Sequence, residues 1–234
     1  MVKNGAAQQI PLDLALRPAH GMEDFLIGSS NAEAIAWIDR WPDWPAPLLV
    51  ISGPAASGKT HLAAVWGEKT GATLINPDML ARHSAEDLAA KGERLVIDGI
   101  DLWIGDLEAE TTLFHLYNII REERRSLLVT SRMNPTQSDF VIADLASRFR
   151  AAPLATIKAP DDLLLGSVLI KLFSDRQLLV GNEVISYILP RMERSFLAAR
   201  DIVENADKMA YARKRGVSIP LIRQVLTDLQ SDLS

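Results

Sequence analysis

The sequence predicts an α/β fold, a parallel sheet with helices on both faces, followed by a helical second domain. Three observations carry that expectation. Short apolar runs rich in β-branched residues recur between helical patterns; one runs straight into the glycine-rich stretch "GPAASGKT"; and after Pro160 only helical patterns follow.

The runs are "LLVIS" (48–52), "ATLIN" (72–76), "RLVID" (94–98), "SLLVT" (126–130) and "LATIK" (154–158). Each is nearly continuous in apolar residues, as buried parallel strands are, so a five-stranded parallel sheet is expected. Trp37, Trp41 and Trp44 in "WIDRWPDW" read as fasteners of the helix before the first strand; a protein contact surface is the alternative. Beyond Pro160, "DDLLLGSVLIKLFSDRQ", "NEVISYILPRM", "SFLAARDIVENADKMAYARKRG" and "IPLIRQVLTDLQ" read as helices. In the third, Phe196, Ala199, Ile202, Val203, Ala206, Met209 and Ala210 form one stripe at helical spacing. The expected division is an N-terminal segment 1–20, polar and proline-containing, an α/β domain 21–158, and a helical lid 159–234.

With 234 residues, 48% hydrophobic and 24% charged, the chain is long and apolar enough for two cores. It has no cysteine, which excludes disulfides, thiolate metal sites and cysteine nucleophiles. Its four histidines, His20, His61, His83 and His115, lack ligand spacing, which argues against metal catalysis. A net charge of -5 argues against a surface made to coat nucleic acid, and no recognition module is visible, so sequence-specific DNA binding is not expected. Nothing resembles a signal peptide or a membrane span; a cytoplasmic protein is expected.

"GPAASGKT" is a phosphate loop in residues and in context, lying between a strand and a helix. Gly53 and Gly58 permit backbone angles that aim N–H groups at phosphate oxygens, with Pro54, Ala55, Ala56 and Ser57 completing the loop. Lys59 would contact the β and γ phosphates, and Thr60 would ligate Mg²⁺. His61 follows and reads as packing rather than chemistry. Asp98 ends the third run, where a carboxylate can hold the Mg²⁺ shell opposite Thr60 or merely cap a helix. The next position is Gly99, which has no acid to orient an attacking water, so intrinsic hydrolysis should be slow. Asp101 could do so if the turn brings it round; otherwise it reads as a cap or as lying outside the site.

In order and rough spacing, the phosphate loop, "LVIDGID", "LLVTSR" and "DLASRFR" resemble the AAA+ ATPases. Within them the chain is most similar to the bacterial replication initiators of the DnaA type and their shorter regulatory relatives of the Hda type. "DFLIGSSNAEA", "SGKTHL", "DLASRF" and "RSFLAARDIVENA" carry that resemblance from about Phe25 onward. It implies that ADP or ATP is bound with Mg²⁺, and that Phe25, Ile27 and Asn31 pack the adenine; Phe25 and Ile27 could instead simply close the core. Thr130 and Ser131 take the sensor I position, with Arg132 where such chains carry an acid.

Arg148 matches the arginine finger, which acts on a neighbour's ATP; the alternative is a surface arginine paired with Asp144. Arg194 opens the sensor II helix and could reach the chain's own phosphates, or stand in solvent. "QIPLDL" resembles the peptide with which Hda-type proteins dock on the DNA sliding clamp, with Gln9 as the amide anchor and Ile10, Leu12 and Leu14 as apolar contacts. The partners implied are the sliding clamp and DnaA, and a homodimer stays open. The implied function is stimulation of the hydrolysis of DnaA-bound ATP. The competing functions are a nucleotide-switched adaptor or loader, and a self-assembling remodelling ATPase.

Overall fold

The computed structural model describes residues 27–213 and 215–231. Five parallel strands form the sheet: β1 (Leu48–Ser52), β2 (Thr73–Ile75), β3 (Arg94–Ile97), β4 (Ser126–Ser131) and β5 (Leu154–Thr156). Their order is β2-β3-β4-β1-β5, so the phosphate-loop strand lies between β4 and β5. All five sequence runs become strands, and the register pairs Ser52 with both Ser131 and Thr156. Parallel pairing brings the C-terminal ends of these strands to one edge, where such sheets place ligands.

Alternation along the strands sorts the core into two layers. Leu48 and Val50 of β1, with Leu95, Ile97, Leu127 and Val129, face α3 (Ala85–Ala89), α4 (Leu107–Glu122) and α5 (Ala143–Ala151). Leu49 and Ile51, with Val96, Leu128 and Ala155, face α1 (Ala32–Asp39) and α2 (Lys59–Thr70). A third apolar cluster is built from α6 (Asp162–Asp175), α7 (Asn182–Ile188), α8 (Phe196–Arg213) and α9 (Ile219–Ser231). On α8, Ala199, Ile202, Val203, Ala206 and Ala210 are buried in it, with Phe196 and Met209 packed partly against it.

The tryptophans fasten the sheet's second face. Trp66 of α2 is fully buried, stacked on Trp44 at 5.2 Å between centroids and met edge-on by Trp41 at 6.2 Å. Trp44 Nε1 donates to Trp37 O at 2.7 Å and Trp41 Nε1 to Ser126 Oγ at 3.1 Å, while Trp66 Nε1 is buried without a hydrogen-bond partner among the described residues. Replacing Trp66 with alanine is therefore expected to cost about 3–5 kcal/mol, read as a lower urea midpoint.

A hollow of about 700 Å³ lies beside this cluster, at the N-terminal ends of the strands. Two of its arginines already serve as ties, Arg94 Nη1 donating to Thr70 O at 2.8 Å and Arg125 Nη1 to Ala89 O at 2.6 Å. Among the described residues, no helix is long and apolar enough to cross a membrane.

Candidate functional site

At the opposite edge, the loop after β1 closes tightly over the strand ends. Gly53 N–H donates to Ser131 O at 3.1 Å, and a Cβ on Gly53 would overlap the Ile157 carbonyl oxygen, so only glycine fits. Gly58 stands at φ 95° as the N-cap of α2, a left-handed conformation that costs glycine little. The loop thus runs directly into the positive end of a 12-residue helix.

Lys59, the first residue of α2, is only 8% exposed. Its Nζ donates to Gly53 O and Pro54 O, each at 2.7 Å. Burial holds its pKa below the usual lysine range, and the carboxylates of Asp101 and Asp98 partly offset that shift.

Asp98 joins three elements. Thr60 Oγ1 donates to its Oδ2 at 2.7 Å, and Thr130 Oγ1 donates to its Oδ1. Gly99 N–H in turn donates to Thr130 Oγ1 at 2.9 Å. The acid is therefore held from the phosphate-loop helix and from the end of β4 together, beyond what capping a helix requires. Beneath the loop, Ser57 Oγ and Ser131 Oγ are buried without a hydrogen-bond partner among the described residues. Such orphaned hydroxyls at a strand edge suit a ligand rich in oxygen.

Asp101 is brought round by the turn, the arrangement that the sequence left open. Gly99, at φ 86°, starts a tight 3-10 turn over Ile100–Leu102 that swings the chain back toward β4. The Asp101 side chain is 8% exposed, and its Oδ1 accepts the Arg132 N–H at 2.8 Å. Its charge favours the protonated form of Lys59 more than that of Asp98 does. It belongs to the site's electrostatics instead of lying outside. His61 is also corrected, being exposed on α2 and not packed inside.

The other candidates make contacts of their own. Ile27 packs partly against the second face of the sheet. Asn31 is buried, and its Oδ1 accepts the Gly28 N–H at 2.8 Å, closing the turn before α1. That turn is strapped across the site edge by Lys158 N–H donating to Ser30 O at 2.9 Å and by Ser29 Oγ donating to Asp161 Oδ2 at 3.0 Å. Arg194 forms an exposed ion pair with Asp162 at 2.9 Å. The helical part instead meets the loop through backbone, Phe196 N–H donating to Ala56 O at 3.3 Å. Side-chain patterning cannot reveal such a contact.

On α5, the Arg148 guanidinium carbon lies 5.8 Å from the Tyr117 ring centroid, and Nε is buried without a hydrogen-bond partner among the described residues. Its contact is thus the Tyr117 ring and not Asp144. Phe25 and the peptide residues Gln9, Ile10, Leu12 and Leu14 lie outside the described residues.

No family model matches the sequence. The chain is 24% identical over 240 residues to the chromosomal replication initiator protein DnaA of Clavibacter sepedonicus, covering 93% of this chain and 50% of that protein. It therefore spans about half the length of the curated relatives it matches. Its fold is similar to that of domain III of the Thermotoga maritima replication initiation protein DnaA, at a TM-score of 0.76 and 20% identity over 91% of this chain and 97% of the other. AMPPCP-bound DnaA from Aquifex aeolicus follows at 0.68 and 20% identity, over 85% of this chain and 67% of that one. The chain has the AAA+ fold, and it is related in sequence to DnaA over nearly its whole length.

Proposed function

We propose that this chain binds ADP or ATP with Mg²⁺ and regulates replication initiation by acting on ATP held by DnaA. The observation that carries the reading is the pairing of an assembled phosphate site with Gly99 at the position after Asp98. The loop, Lys59, Thr60 and Asp98 can hold a nucleotide, while Gly99 carries no acid to activate water. Its φ of 86° also opposes an acidic side chain there without strain. Slow turnover by the chain alone follows.

Thr60 and Asp98 offer the hard oxygen donors that Mg²⁺ takes, and they are already adjacent. When bound, Mg²⁺ neutralises phosphate charge. Lys59 would exchange its two carbonyl acceptors for phosphate oxygens, a charge-assisted bond. The nucleotide-bound DnaA of Aquifex aeolicus supports adenine nucleotide as the ligand. Ile27 and Phe25 are proposed against the adenine, with Asn31 shaping the turn between them and α1.

Because burial lowers the Lys59 pKa and an anion raises it again, binding must take up protons in the alkaline range. Affinity then falls as the pH rises through the depressed pKa. Calorimetry in buffers of different ionisation enthalpy reads this uptake directly; its absence at alkaline pH would remove Lys59 from the phosphates.

Arg148 is proposed as the finger, inserted into the ATP site of DnaA, where its guanidinium stabilises charge on the transferring phosphoryl group. Gln9, Ile10, Leu12 and Leu14 are proposed to tether the chain to the sliding clamp. This reading places the protein in the cytoplasm. The test is hydrolysis of ATP prebound to DnaA, in the presence of DNA-loaded clamp, with and without this chain. An unchanged rate would hand the function to a non-hydrolytic adaptor.

A further inference from the structure

Glu110 lies in the first turn of α4 and is 2% exposed. A buried carboxylate is costly unless its oxygens are satisfied, and here backbone from two distant segments satisfies them. Oε1 accepts the Gly105 N–H at 2.7 Å, and Oε2 accepts the Ile142 N–H at 2.7 Å. Gly105 closes the turn that begins at Asp98. Ile142 is the N-cap of α5, the helix that carries Arg148, and its own side chain cannot cap. Glu110 therefore supplies from α4 the cap acceptor that the Ile142 side chain cannot provide, adding to the charge of Asp144 in the first turn of α5.

The other end of the connection is equally tied. Gly99 N–H and Asp98 both bond Thr130, and Asp101 holds the Arg132 N–H. From the phosphate site to α5, the path is the segment 98–105, with its 3-10 turn over Ile100–Leu102, and one carboxylate.

We propose that Glu110 is the positioning residue of Arg148, making the setting of α5 depend on the Asp98 turn. Its consequence for activity rests on the reading of Arg148 as a finger. By linkage, engagement of α5 by a partner would shift nucleotide affinity by the same factor that nucleotide shifts α5.

The test is amide hydrogen exchange on the full chain for Thr130→Val, Glu110→Gln and the double variant, without nucleotide or partner. Thr130→Val loosens the Asp98 turn, and exchange at Gly105 and across 142–151 should rise together, about threefold or more. Glu110→Gln replaces one of the two acceptor oxygens with a donor and should raise exchange across 142–151 by at least as much. In the double variant, Thr130→Val should add nothing there, because coupled residues are non-additive.

Unchanged exchange at Ile142 in Thr130→Val, or independent effects in the double variant, would overturn the proposal. A merely structural glutamate would give independent effects. Should Glu110→Gln fail to fold, the response of Ile142 to Thr130→Val still decides. A wrong finger assignment would show elsewhere, as DnaA-bound ATP hydrolysed equally fast with Arg148→Ala.

Discussion

Lys59→Ala is expected to weaken ADP and ATP binding on the order of 10²-fold or more while leaving the fold intact. The loss is large because a charge-assisted bond to phosphate is removed from a dry site, and such truncations cost about 2–5 kcal/mol. Some affinity persists, because the N-terminus of α2 is unchanged. The fold survives because burial already disfavours this ammonium, whose only partners among the described residues are two carbonyls of its own loop. A nucleotide titration followed by calorimetry, with thermal melting as control, reads both effects. Equal affinity in the variant and the unaltered chain would end the phosphate-loop assignment.

Arg148→Ala is expected to abolish stimulation of DnaA-bound ATP hydrolysis, a contribution of about 10³–10⁵ in rate where a finger is well seated. Its Nε makes no internal hydrogen bond among the described residues, so alanine there sacrifices a ring contact and little else. Stability should change far less than activity. A Gln9→Ala, Leu12→Ala double variant should also lose stimulation, but by a different route. A tether raises effective concentration, so excess protein should partly rescue that variant and should not rescue Arg148→Ala. If DnaA-bound ATP is untouched while the chain still binds the clamp, Arg148 is no finger for DnaA.

Much of this architecture was legible in the residues. The five apolar runs became the strands because a buried parallel strand needs an unbroken apolar stretch on both faces. Gly53 was legible as a loop glycine, although the Ile157 carbonyl that makes it obligatory lies just past β5, roughly a hundred residues later. The side taken by Asp101 was not legible because it depends on the left-handed turn at Gly99, and an aspartate four residues past the end of β3 carries no signal of direction. His61 was misread because its neighbour Leu62 is buried and a helix turns about 100° per residue.

By itself the sequence determined the periodicities, the phosphate loop and the absence of an acid at position 99, all local properties carried by adjacent residues. Only the tertiary structure decided the polar partners: Asp98 with Thr60 and Thr130, Asp101 with Arg132, and Glu110 with Gly105 and Ile142. The physical reason is that burial imprints a repeat on its own segment. A hydrogen bond across 31 or 32 residues leaves no repeat; it is chosen when packing removes water and only one partner remains in reach.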